Sequence, residues 1–177
     1  LRERSTQSFE MIGRSVAMNQ LRQGIDKVAP TNSRVLITGP SGCGKELAAR
    51  VMHAKSGRAD GPFVVLNAAA MVPDRMELEL FGTEEGSGSG ARKVGALEEA
   101  HNGTLYIDEV ADMPLETQAK ILRVLVEQRF QRLGGGPKVH VDVRVVSSTS
   151  HDLQKEMSSG RLREDLFHRL NVVPISV

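Results

Sequence analysis

Apolar positions along the chain alternate between two periodicities. Between Ile12 and Val28, Val16, Leu21, Ile25 and Val28 recur near the helical period, which predicts an amphipathic helix. RVLIT (Arg34 to Thr38) is a short β-rich run, followed by a glycine-rich turn and then KELAARVMHA, whose composition favours helix. That is a strand–loop–helix unit. FVVL (63–66), TLYI (104–107), VRVVSS (143–148) and VVPISV (172–177) read as further buried strands. The clearest helix runs from Leu115 to Gln128, with Leu115, Ala119, Leu122 and Val126 forming one apolar stripe. Pro114 sits where a first helical turn tolerates it.

Strands that alternate with helices predict a parallel sheet covered on both faces. FQRLGGGPKVHVDV breaks this rhythm, because two short alternating runs flank Gly134, Gly135 and Gly136, the pattern of a β-hairpin. EEGSGSGARK (84–93) has no apolar period and is expected to be a mobile loop. Residues 1–11 are polar and read as a linker, and 12–177 as one compact domain. No internal repeat is visible.

Composition narrows the function. The 177 residues are 40% hydrophobic and 25% charged, ordinary for a globular domain. Lysine and arginine number 23 against 22 acids, so no charge excess points to a surface that coats nucleic acid. A single cysteine, Cys43, excludes an internal disulfide and fits a reducing cytoplasm. No apolar run approaches the roughly 20 residues of a membrane span, and no signal peptide is visible. The first residue is not methionine and the last lie in an apolar stretch, so the chain reads as a piece of a longer protein.

The chemistry begins at GPSGCGKE, which spans Gly39, Pro40, Ser41, Gly42, Cys43, Gly44, Lys45 and Glu46 directly after RVLIT. A glycine-rich turn lets successive backbone N–H groups face one anion, and the following helix adds its dipole. Lys45 supplies a point charge for β- and γ-phosphates, the arrangement of a Walker A loop. Glu46 stands where serine or threonine ordinarily binds magnesium; a carboxylate there either holds the ion through water or is a helix-start acid. Cys43 reads as a small packing residue in preference to a redox switch. TLYIDE (104–109) is an apolar strand ending in two acids, about 60 residues beyond Lys45, as in a Walker B motif. Asp108 is expected to hold magnesium and Glu109 to polarise the attacking water.

These motifs resemble the AAA+ domains of bacterial enhancer-binding proteins, the activators of sigma-54 RNA polymerase. The match is carried by GPSGCGKE, ELELFGTEEG (77–86), GALEEAHNGTLYIDEVADMP (95–114), QAKILRVLVEQRFQRLGG (118–135) and GRLREDLFHRLNVVPI (160–175), and extends from Met11 onward. Within the family, the wording resembles the nitrogen-related response regulators. The resemblance implies a three-layer αβα P-loop fold with a parallel five-stranded sheet and a hairpin insertion, binding ATP or ADP with Mg2+. It implies that Asn67 is a switch restraining Glu109, that Ile12 and Gly13 touch adenine, and that Thr149 and Ser150 sense the nucleotide. Arg163 and Arg169 resemble arginine fingers that reach a neighbouring subunit's site. By spacing alone they read as a solvated basic face.

Three departures from the family pattern bear on output. GSGSGA (Gly86 to Ala91) replaces the GAFTGA motif that contacts the sigma factor. Ser150 follows Thr149 where asparagine is usual. The chain also ends before the helical lid, and the receiver and helix-turn-helix domains lie outside it. The implied partners are further copies of the chain in a ring or dimer, a sensor kinase through the receiver, and DNA through the helix-turn-helix. Contact with an RNA polymerase sigma factor is the point that GSGSGA opens. ATP hydrolysis by the fragment alone is expected to be weak, and no membrane partner is implied.

Overall fold

The computed structural model describes residues 16–40, 42, 44–84 and 93–177. Ile12, Gly13, Ser41, Cys43, the linker 1–11 and the GSGSGA stretch lie outside the described residues.

Each predicted strand forms. β1 (Val35–Thr38), β2 (Phe63–Asn67) and β3 (Thr104–Asp108) are followed by the hairpin strands β4 (Arg129–Phe130) and β5 (Val139–His140), then β6 (Arg144–Thr149) and β7 (Val173–Ser176). Five of them build one sheet in the order β2-β3-β6-β1-β7. Every pairing in it is parallel, and β4 and β5 pair antiparallel apart from it. The helices are α1 (Val16–Val28), α2 (Lys45–Ala54), α3 (Pro73–Phe81), α4 (Ala96–Glu99), α5 (Leu115–Glu127), α6 (Leu153–Ser158) and α7 (Glu164–Leu170).

Strand alternation divides the core into two layers. Val35, Ile37, Tyr106 and Val146 pack under α1 and α2 with Ile25, Ala48 and Met52. Leu36, Leu105, Ile107 and Val145 pack on the other face with Leu80, Ile121, Val124 and Leu166 from α3, α5 and α7. Helices on both faces give the expected three-layer αβα architecture. Among the described residues, no helix is long and apolar enough to cross a membrane.

The stripe expected on α5 is not the buried one. Leu115 and Val126 are about half exposed, and the inward face is Thr117, Gln118, Ile121, Val124 and Leu125. Two polar residues can occupy that face because their hydrogen bonds are met. Gln118 donates to the carbonyls of Met113 and Arg161 and accepts from the Arg163 amide. Thr117 donates to Glu77. In α1, Leu21, Ile25 and Val28 are buried as expected, whereas Val16 at its start is exposed.

The loop of the hairpin connecting α5 to β6 is tied to the chain beside the GSGSGA stretch. Leu133 donates to the Gly82 carbonyl and Glu84 donates to the Leu133 carbonyl. Arg132 forks onto Glu98 with two bonds of 2.9 Å and reaches Glu84 with a third.

His53 on α2 gives the fold a pH dependence. Its Nε2 lies 3.1 Å from the Gly61 carbonyl, which only accepts, so Nε2 carries the proton and Nδ1 accepts from the Thr104 hydroxyl at 2.9 Å. Burial pushes its pKa below the usual range; the Gly61 bond opposes this, and Arg144, Arg50 and Arg58 add to the depression. The unfolded chain binds a proton near pH ~6.5 that the folded imidazole refuses. This contribution to stability is therefore complete above that pH and lost as pH falls toward the folded pKa. Urea unfolding at pH 7 and pH 5 should show a smaller acid loss for His53→Gln than for the parent chain. Equal losses would remove His53 from the account.

Candidate functional site

The site gathers at the carboxyl ends of β1, β2 and β3, where an open parallel sheet presents its crevice. After β1 the chain turns through Gly42 and Gly44, whose φ values of 77° and 93° lie in the left-handed region that favours glycine. Gly44 caps α2, so the unpaired N–H groups of that helix's first turn face the loop. Lys45 is buried, and its ammonium donates to the carbonyls of Gly39 and Pro40 at 2.9 Å each. Both bonds keep the charge at the mouth of the loop.

β3 runs parallel between β2 and β6, setting Asn67 opposite Asp108. Glu109 follows with φ 57° and ψ 56°, a left-handed backbone uncommon outside glycine. This turn swings its side chain out of the strand, and such strain is concentrated at functional positions. A cleft of about 410 Å³ is lined by Gly42, Gly44, Lys45, Glu46, Asn67, Asp108 and Glu109, together with Leu47, Ala69 and Tyr106.

The remaining expected residues stand around this cleft in different ways. Glu46 lines it, but its carboxylate also pairs with Arg50 at 2.9 Å, one helical turn on. Asn67 lines the cleft with Glu109, and its side-chain oxygen accepts from the Ala69 amide. Glu109 is held by Ser150, whose amide reaches Oε1 at 3.0 Å and whose hydroxyl reaches Oε2 at 2.7 Å. Thr149 is buried, and its hydroxyl accepts from the His151 amide. Arg163 and Arg169 do not line the cleft. Arg163 forks onto Asp165 at 3.0 and 2.8 Å, which raises the arginine pKa and lowers that of the carboxyl. Arg169, near the end of α7, is exposed.

Two residues at the site were given no role by the motifs. The Tyr106 hydroxyl donates to Ser148 at 2.8 Å, and Ser148 donates to Asp108 Oδ1 at 2.8 Å. Their signal lies in the alternation of β3 and β6, but it can be used only once the two strands are known to be neighbours. His151 also approaches Glu109 at 3.9 Å and Asp112 at 3.3 Å.

Glycine loop, buried lysine and strand-end acids on a parallel sheet define a P-loop nucleotide-binding domain. The model of the family described as "Sigma-54 interaction domain" matches residues 11–176. The chain belongs to that AAA+ family. It is 63% identical over 172 residues to the nitrogen assimilation regulatory protein NtrX of Azorhizobium caulinodans, a match that covers 97% of the chain. It spans only 38% of that relative's length. Crystal structures of NtrX from Brucella abortus are similar too. The complex with ATP has TM-score 0.89 and 65% identity, covering 95% of this chain and 38% of that one. The complex with ADP has TM-score 0.90 and 64% identity, covering 96% of this chain and 38% of that one. The P-loop NTPase domain of an E. coli sigma-54 transport activator shares the fold, with TM-score 0.64 and 22% identity over 93% of this chain and 96% of its own.

Proposed function

We propose that the chain is the ATP-binding and ATP-hydrolysing domain of an NtrX-like two-component response regulator, in which nucleotide state governs self-association. The observation that carries this reading is the convergence of Lys45, Asp108 and Glu109, from separate elements, on one cleft. The glycine loop and the start of α2 bind the phosphates through backbone N–H groups, and Lys45 turns from the Gly39 and Pro40 carbonyls toward the β- and γ-oxygens. Asp108 and Glu46 are hard oxygen donors in the same cleft, the type that magnesium takes beside phosphates. Magnesium, when bound, neutralises charge on the phosphate oxygens. Glu109 orients and polarises the attacking water, and Asn67 and Ser150 set where its carboxylate points.

Arg163 and Arg169 lie outside their own chain's cleft and serve the site of a neighbouring subunit in a ring or dimer, where charge builds on the transferring phosphoryl group. Asp165 keeps Arg163 folded against α7 until that neighbour arrives. In the longer protein a receiver domain answers a sensor kinase, a helix-turn-helix binds DNA, and the whole acts in the cytoplasm. GSGSGA in place of GAFTGA separates this chain from direct sigma-54 remodelling. A second reading, a nucleotide-switched assembly module without turnover that acts independently of sigma-54, draws on the double hold of Ser150 on Glu109.

ATP turnover of the full-length protein, measured against protein concentration, tests the two. Turnover per chain should rise steeply with concentration, and Arg163→Ala and Arg169→Ala should lower it by about 10³-fold or more with nucleotide binding retained. Tight nucleotide binding without turnover at any concentration would favour the assembly module. Loss of binding in the arginine variants would assign them a local structural role.

A further inference from the structure

We propose that Tyr106 and Ser148 form a hydrogen-bond relay that orients the Asp108 carboxylate toward the divalent cation bound with the nucleotide. The relay rests on the ATP-binding reading of the cleft. Alternation along β3 places Tyr106 and Asp108 on one face of the sheet, the face under α1 and α2. On β6, Val146 pairs in register with Tyr106 and Ser147 with Ile107, which sets Ser148 beside Asp108 on that same face.

The donors point one way. Tyr106 donates to Ser148 at 2.8 Å, so the Ser148 hydroxyl has its own proton left for Asp108, which it reaches at 2.8 Å. Each bond polarises the next, and the chain fixes which carboxylate lone pair is occupied. Tyr106 and Ser148 are both fully buried, so the bond between their hydroxyls is shielded from solvent. The Tyr106 ring is also fixed, stacked on Phe63 at 6.1 Å, with the Arg50 guanidinium 4.8 Å from the Phe63 ring centre.

Ser147 supplies the contrast. It is as buried as Ser148 but faces the opposite side of the sheet, and its hydroxyl has no hydrogen-bond partner among the described residues. A serine on β6 is therefore not satisfied automatically; Ser148 is satisfied because Tyr106 and Asp108 sit on either side of it. An outer residue that hydrogen-bonds a metal-binding carboxylate holds it in its binding pose, and its loss weakens the metal by about 10- to 100-fold.

The experiment is binding of a fluorescent ATP analogue, titrated with magnesium, for the parent chain, Tyr106→Phe, Ser148→Ala and the double variant. Thermal melting verifies that each is folded. The magnesium requirement of each variant is read relative to its own binding without divalent cation. With magnesium, half-effect in Ser148→Ala should need on the order of tenfold more cation, and in Tyr106→Phe about threefold more. The double variant should match Ser148→Ala, because without Ser148 the phenol has no route to Asp108. An unchanged magnesium requirement in Tyr106→Phe, or additive shifts in the double variant, would overturn the relay. Tyr106→Phe keeps the ring and decides the matter even if Ser148→Ala does not fold. A parent chain that binds the analogue without responding to magnesium would overturn the relay alone. One that binds no analogue would overturn the ATP-binding reading as well.

Discussion

Replacing Glu109 by glutamine is expected to lower ATP turnover by about 10²- to 10⁴-fold, the contribution of a positioned general base, with nucleotide binding retained. The substitution suits this site because glutamine can keep the local hydrogen bonds. Its carbonyl oxygen can accept from the Ser150 amide, as Oε1 does now, and its NH2 can donate to the Ser150 hydroxyl, which rotates to accept. Side-chain volume and the left-handed backbone at φ 57° are unchanged. What is removed is the negative charge that draws a proton from water. Steady-state phosphate release, beside analogue binding on the same samples, separates the two effects. Unaltered turnover would mean that another group polarises the water; loss of binding would mean that Glu109 supports the cleft itself.

The second large effect concerns stability. Arg144→Ala is expected to cost on the order of 3–5 kcal/mol, since it breaks a buried network of charge-assisted hydrogen bonds. Arg144 stands at the start of β6 with 2% of its surface exposed. Its guanidinium donates to the carbonyls of Val28, Ala29 and Ser33 at 3.0, 2.9 and 3.0 Å. Val28 and Ala29 are at the carboxyl end of α1, where carbonyls lack partners within the helix and a cation also meets the helix dipole. Burial lowers the arginine's pKa, the nearby Arg58 adds to this, and the group stays charged because its ordinary value is so high. Alanine would remove the donor to the Ala29 and Ser33 carbonyls at the seam between α1 and the sheet, while the Val28 carbonyl would keep the Thr31 amide and hydroxyl. A chain of this size should then melt roughly 10 °C lower. Arg144→Lys should recover only part of the loss, because one ammonium cannot span three carbonyls held by a planar fork. A melting temperature within a degree or two of the parent would show that α1 is anchored by its apolar face alone.

Much of the molecule was legible in the chain. The strand runs, the glycine turn before Lys45, the acids after TLYI and the glycines of the hairpin each depend on local rules, and each stands where those rules put it. A β-branched run prefers extended backbone, and a left-handed turn favours glycine, whatever surrounds them. The buried face of α5 was not legible in this way. Leu115 and Val126 look inward by composition, yet Thr117 and Gln118 are the buried ones, because Glu77, Met113, Arg161 and Arg163 bring partners from up to 45 residues away. The restraint on Glu109 was equally hidden. Ser150 reaches it from 41 residues along the chain, from the end of a strand that only the sheet brings beside β3.

The sequence by itself determined the class of chemistry, because phosphate binding needs only a glycine loop, a lysine and a helix start that are contiguous. The tertiary structure decided which side chains act on the acids, since Tyr106, Ser148 and Ser150 reach Asp108 and Glu109 only when β6 lies beside β3 in one register. A one-residue slip of that register would turn Ser148 to the opposite face, and no local preference in either strand prevents it.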